Sequence, residues 1–258
     1  MTYTAAKVLL GISPYDMIFQ SISQSNLFRH IFTEAYGDNY IPGSAQFSYI
    51  GMSELNGMAA YFSAAPAGLA IDIGCGEGSL TQHLRKLSGR EIIGFDTSSK
   101  AIQIAEDRNI EGCRFGVAHF CALPLRPNSV AVVIALDCVQ HADDPMVLAR
   151  ELARVSKAGA HLLITHWMPL YLEPLQLERH DPLCAALCAW GFTILEVIDL
   201  DPGLTQQFRV YAYVYANRDL VIRELGASLF DSLMLEARHF HIRKGAIGHL
   251  GILVRADS

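Results

Sequence analysis

Three features are scarce in this chain: long apolar runs, clustered positive charge and paired cysteines. Hydrophobic residues fill 51% of the 258 positions, yet no run approaches the ~20 residues a membrane span needs. The first dozen residues hold one lysine and a short apolar stretch, so no secretory signal is expected. Lys and Arg total 20 against 26 Asp and Glu, a net charge of −6, with no basic cluster. Nucleic-acid backbones are bound through concentrated Lys and Arg, so no nucleic-acid partner is expected, and no membrane partner either. The cysteines (Cys75, Cys113, Cys121, Cys138, Cys184 and Cys188) include no C-x-x-C pair. They read as small core residues in a reducing cytoplasm. Cys184 and Cys188, on one expected helix, could hold half a metal site, but no metal is expected. Internal repeats and low-complexity tracts are also missing. What remains is a cytoplasmic globular protein long enough for one large α/β domain or two small ones, with its oligomeric state open.

What the chain does have is concentrated between Leu69 and Asp96. The apolar run Leu69-Ala70-Ile71 leads to Asp72, and Ile73-Gly74-Cys75-Gly76-Glu77-Gly78 then places glycines at alternate positions. A helical pattern follows from Ser79 to Leu87. Strand, tight turn and helix N-terminus in that order bring backbone N–H groups close to a nucleotide-like ligand. A second apolar run, Glu91–Phe95, ends at Asp96, 20 residues past Gly76 and in reach of a ribose diol. The spacing is G-x-G-x-G, one residue short of the dinucleotide fingerprint G-x-G-x-x-G.

Further strand-like runs fall at Arg114–Val117, Val130–Leu136, Ala160–Thr165, Phe192–Ile198 and Ile247–Val254. Helical patterns lie between the early ones, as at Lys100–Arg108 and Pro145–Val155. The alternation predicts an α/β fold, a doubly wound, Rossmann-like and mostly parallel sheet built from residues 66–258. A long helical stretch, Leu204 to about His241, precedes the seventh strand. Residues 1–65 lack the alternation. Amphipathic patterns at Tyr15–Ala35 and Met52–Phe62 flank the turn-rich Tyr36–Gly43, and predict a helical cap over the sheet's carboxyl edge. Ligands bind at that edge in open α/β sheets, so the cap is expected to close the site.

The D-I-G-C-G loop with Asp96 resembles motif I of the class I S-adenosylmethionine-dependent methyltransferases. Leu123-Pro124-Leu125 through Val133 is similar to that family's L-P-F-x-x-x-S-F-D approach to strand four. Glu151-Leu152-Ala153-Arg154-Val155-Ser156-Lys157-Ala158-Gly159 is similar to its E-x-x-R-V-L-K-P-G-G stretch, with Ala158 and Ala160 as departures. The close resemblance covers about residues 68–167. It implies a seven-stranded sheet with one antiparallel strand near the edge, and S-adenosylmethionine as cofactor. By position it places Gly74, Cys75 and Gly76 under the methionine moiety, Asp72 organising their loop, Asp96 on the ribose hydroxyls, and Thr97 and Ser98 under the adenine. His119 stands where relatives carry the aspartate that accepts from the adenine amine. It either accepts through a ring nitrogen, beside the Phe120 N–H, or points to solvent. Leu136, at the end of strand four, is a further candidate contact to the cofactor.

Tyr36–Ile41, with Tyr40, and the Asp137…His141 pair resemble the phosphoethanolamine N-methyltransferases. There a histidine after strand four, matched by His141, acts with a tyrosine; the tyrosine's position here holds Gln24. The phosphate-binding segment of that group, between Trp167 and Gly191, is short here. His141 and His166, at carboxyl ends of strands, are the candidate proton acceptors. Tyr40, Asp137, Gln140, His141 and His166 are the candidate contacts to the methyl acceptor. Tyr211, Tyr213 and Tyr215 cannot share one helix face and read first as core, while His239 and His241 read as solvent-facing. The implied function is methyl transfer to O, N or C of a small molecule, of the kind found in secondary metabolism. The alternatives are a non-methylating reaction such as a cyclisation, and a cofactor-binding regulator.

Overall fold

The computed structural model describes residues 14–44, 48–169, 174–243 and 247–257; the N-terminal stretch before Pro14 lies outside them. Five parallel strands come first: β1 (Leu69–Ile73), β2 (Ile92–Asp96), β3 (Cys113–Val117), β4 (Val130–Ala135) and β5 (Ser156–Pro169). The sheet is completed by β6 (Phe192–Asp199) and by β7 (Ile247–Ala256), which lies antiparallel between β5 and β6. The order is β3-β2-β1-β4-β5-β7-β6, seven strands. Every residue of β4 is buried, as expected of a central strand covered on both faces.

Alternate residues along the strands feed two different cores. Ile71, Ile73, Val133, Ala135, Leu162 and Ile164 pack with α6 (Pro145–Val155), α7 (Pro174–His180) and α8 (Pro182–Ala189). Ala70, Val132, Ile134 and Leu163 face α3 (Met52–Ala64) and α4 (Ser79–Ser88). Thus Met52–Phe62, expected in the cap, covers a sheet face, because Leu55, Met58 and Phe62 match its apolar surface. The Glu151/Arg154 pair is structural: Glu151 accepts the Leu123 N–H, and Arg154 donates to the carbonyls of Leu123 and Leu125.

Over the carboxyl edge lies a third apolar cluster. Phe19 and Ile22 of α1 (Pro14–Ile22) and Phe28, Ile31 and Phe32 of α2 (Asn26–Tyr36) pack with residues from the far end of the chain. The long helical stretch there is three helices: α9 (Asp201–Ala216), α10 (Arg218–Leu225) and α11 (Ala227–Arg243). They contribute Val210, Val214, Val221, Leu229 and Leu233. Tyr211 is buried, while Tyr215 is 73% exposed. Against α5 (Ser99–Asp107), Asp16 of α1 accepts from the Ser98 hydroxyl at 2.5 Å and the Lys100 N–H at 3.1 Å.

Candidate active site

Strand order reverses between β1 and β4, and there a cavity of about 790 Å³ opens at the carboxyl ends of the strands. Its floor is the glycine loop. Gly74 has φ +70°, and a Cβ on it would stand 2.4 Å from the Cβ of Cys138. Gly76, at φ +54°, donates its N–H to Asp96 Oδ2 at 2.9 Å, while Asp96 Oδ1 accepts the Ser98 N–H at 2.8 Å. Burial raises the Asp96 pKa against the pull of these amides. With the Thr97 amide also bonded to it, the carboxylate keeps accepting capacity for a diol hydroxyl. Asp72 is buried behind the loop, where Thr81 Oγ1 donates to it at 2.6 Å, and burial pushes its pKa up to about 7.

Gly74, Asp96, Thr97, His119, Phe120, Leu136, Asp137, Gln140, His141 and His166 all line the cavity. Asp72, Cys75, Gly76, Ser98 and Tyr40 do not line it. Ser98 is the buried N-cap of α5, and the Tyr40 hydroxyl donates to the Ser44 carbonyl at 2.6 Å. A Cβ on Gly76 would meet the Phe19 ring at 3.0 Å, so the cap helix crowds that glycine. His119 Nδ1 accepts the Cys121 N–H at 3.2 Å. The neutral ring then carries its proton on Nε2, which makes that nitrogen a donor.

On the cap side, Tyr15 Oη and His141 Nε2 lie 3.1 Å apart, the rings edge to face. Gln24 occupies the spacing where a partner tyrosine was sought, but α1 supplies Tyr15 instead. The only signal was Tyr15 opening an amphipathic pattern. Asp137, held at φ +53°, accepts from Ser48 Oγ at 2.7 Å, the Tyr49 N–H at 2.9 Å and Thr165 Oγ1 at 2.8 Å. His249 of β7 lies with Nε2 2.6 Å from Asp137 Oδ1. Burial alone would raise the Asp137 pKa, but His249 and these donors bring it down to about 2. Gln140 Nε2 donates to the Asp137 carbonyl at 2.7 Å. His166 Nε2 is 3.1 Å from Asp181 Oδ2, and burial of Asp181 is outweighed by His166, which holds its pKa below the usual range. Sequence reasoning also missed Tyr49, whose hydroxyl donates to Glu236 of α11 at the cavity wall. The side chains of His239 and His241 lie outside the described residues. Among the described residues, no group of three or more His, Cys, Asp or Glu could hold a metal ion. No described helix is long and apolar enough to cross a membrane.

Residues 71–164, which carry the glycine loop and the second-strand acid, match the family model described as "Methyltransferase domain", and the sheet order is that of the class I S-adenosylmethionine-dependent methyltransferase fold. Over 107 residues the chain is 32% identical to the ubiquinone biosynthesis O-methyltransferase of Cupriavidus pinatubonensis, covering 38% of this chain and 43% of that protein. Over 109 residues it is 28% identical to norajmaline N-methyltransferase of Rauvolfia serpentina, covering 40% and 37%. The chain thus spans about two-fifths of the length of the curated relatives it matches. Among solved structures, it is similar to the [4+2]-cyclase SpnF, with TM-score 0.67, 18% identity and 94% and 97% of the two chains covered. It is also similar to phosphoethanolamine N-methyltransferase 2 of Haemonchus contortus, with TM-score 0.65, 17% identity and 96% and 60% covered. At these identities the structural likeness concerns the fold.

Proposed function

We propose that the chain transfers a methyl group from S-adenosylmethionine to a small-molecule acceptor. The observation that carries this reading is a single cavity with the Gly74/Asp96 cradle on one side and the Tyr15–His141 pair on the other. The loop fits the cofactor, because the Gly74 backbone, in its left-handed conformation, and the Asp96 carboxylate both line the same cavity. When bound, the cofactor supplies an electrophilic methyl on a sulfonium. Asp96 would hold the ribose hydroxyls, while Thr97, Phe120 and the Nε2–H of His119 would face the adenine. Leu136 and Phe19 keep water out.

An acceptor OH or NH must lose its proton as its lone pair is used, and His141 Nε2 takes it, directly or through the Tyr15 hydroxyl. His166, oriented by Asp181, is the second base. In this reading residues 1–65 are mainly cap and residues 66–258 the cofactor-binding core, with α9–α11 extending the cap. The protein acts in the cytoplasm on small molecules, without nucleic acid or membrane. The curated relatives named for O- and N-methylation support the reaction type, while the cyclase neighbour shows that one fold hosts other chemistry. Methyl-labelled cofactor separates the two: label recovered in the product supports transfer, and turnover without label supports a non-methylating reaction.

A further inference from the structure

The acceptor end of the cavity has an uneven charge. Its acids are Asp137 and Glu236, and no Lys or Arg lines the cavity among the described residues. Asp137 is buried and ionised, fully engaged by the four groups that hold it. Glu236 is different, being half-buried on the wall of the cavity and steadied by the Tyr49 hydroxyl. Two aromatic rings share this cavity: Tyr49 and Trp167 pack edge to face with centroids 5.4 Å apart, and both line it. Phe32, Leu229 and Leu233 add apolar wall, interrupted by Gln207 and Ser232.

We propose that the acceptor is an amine carried on an apolar body, its cationic form held by the Glu236 carboxylate and the Tyr49 and Trp167 rings. The inference rests on the methyltransferase reading of the same cavity. An anionic acceptor would lose its hydration facing two carboxylates and find no described cationic side chain of Lys or Arg to replace it. A cation gains a carboxylate and the aromatic rings that line the same cavity. Before methylation the ammonium must give up a proton, which the Tyr15–His141 pair on the same cavity is placed to receive. The apolar wall sets the preference for a hydrophobic substituent over a small hydrophilic amine.

Isothermal titration of the full chain with tryptamine, tryptophol and indole-3-acetate, with and without saturating S-adenosylhomocysteine, tests the inference. The three probes share an indole and differ in charge. Tryptamine should bind about tenfold more tightly than either of the others. Glu236→Gln, which keeps an acceptor for Tyr49, should erase that preference and leave tryptophol binding and S-adenosylhomocysteine affinity unchanged. Equal or tighter binding of tryptophol or indole-3-acetate, failure of tryptamine to bind, or an unchanged preference in Glu236→Gln would overturn it. The wild-type ranking decides the matter even if the variant does not fold. Failure of S-adenosylhomocysteine to bind would count against the methyltransferase reading, while the probe ranking without it still judges the amine.

Discussion

Asp96 has two tasks at the scale of single residues, since it receives the Gly76 N–H and faces the cavity. Asp96→Ala should weaken cofactor binding by about 1.5–3 kcal/mol, the range for charge-assisted hydrogen bonds. Calorimetry with an unchanged affinity would remove Asp96 from the ribose site. For the Tyr15–His141 pair, His141→Ala should lower turnover ~10²–10⁴-fold with cofactor affinity nearly constant, if His141 is the base. Tyr15→Phe should lose less, because the imidazole can still take the proton itself. Wild-type turnover in His141→Ala at saturating cofactor would move the base assignment to His166.

Among the elements, α1 decides whether the site is closed. It places Tyr15 on His141, Phe19 over Gly76, and Asp16 at the N-terminus of α5, where a carboxylate also suits the helix dipole. Asp16→Ala should loosen this helix and weaken cofactor binding by about 0.5–1.5 kcal/mol, with the melting temperature nearly unchanged. Equal affinities in the two proteins would mean that α1 stays closed without the latch. The glycine loop is the second decisive element. Gly74→Ala forces a Cβ against Cys138 at a positive φ, so cofactor binding should collapse even where the sheet still melts cooperatively. Normal binding by that variant would show that the loop is not the cradle.

At the scale of the whole molecule, Asp72 and Asp137 are buried carboxylates that respond to pH in opposite senses. Asp72, pushed up to about 7, favours the folded state while protonated. Its contribution is complete below about pH 4 and is lost as the pH rises through 7. Asp137, brought down to about 2, stabilises above about pH 4 and loses that contribution as the pH falls toward 2. Asp72→Asn should therefore gain stability relative to the wild type between pH 5 and pH 8, by roughly 2–3 kcal/mol. Denaturant titrations at those two pH values measure it; a difference that does not change with pH would show that Asp72 titrates normally in the folded chain.

By itself the sequence determined the strands, their alternation with helices and the side of the sheet that holds the cofactor. Those features follow from local periodicity: β4 is uninterruptedly apolar because both its faces are covered, and Gly74 and Asp96 sit where a strand must end and turn. The antiparallel seventh strand was implied by resemblance, and it is this strand that carries His249 to Asp137. Only the tertiary structure decided the rest of the acceptor end. Tyr15 reaches His141 across 126 positions, and Tyr49 reaches Glu236 across 187, so no spacing along the chain announces either pair. The amphipathic patterns over α1, α2 and α3 stated that each helix must bury a face. Which surface received that face depended on the packing of both chain ends over one sheet edge, a non-local choice that periodicity does not encode.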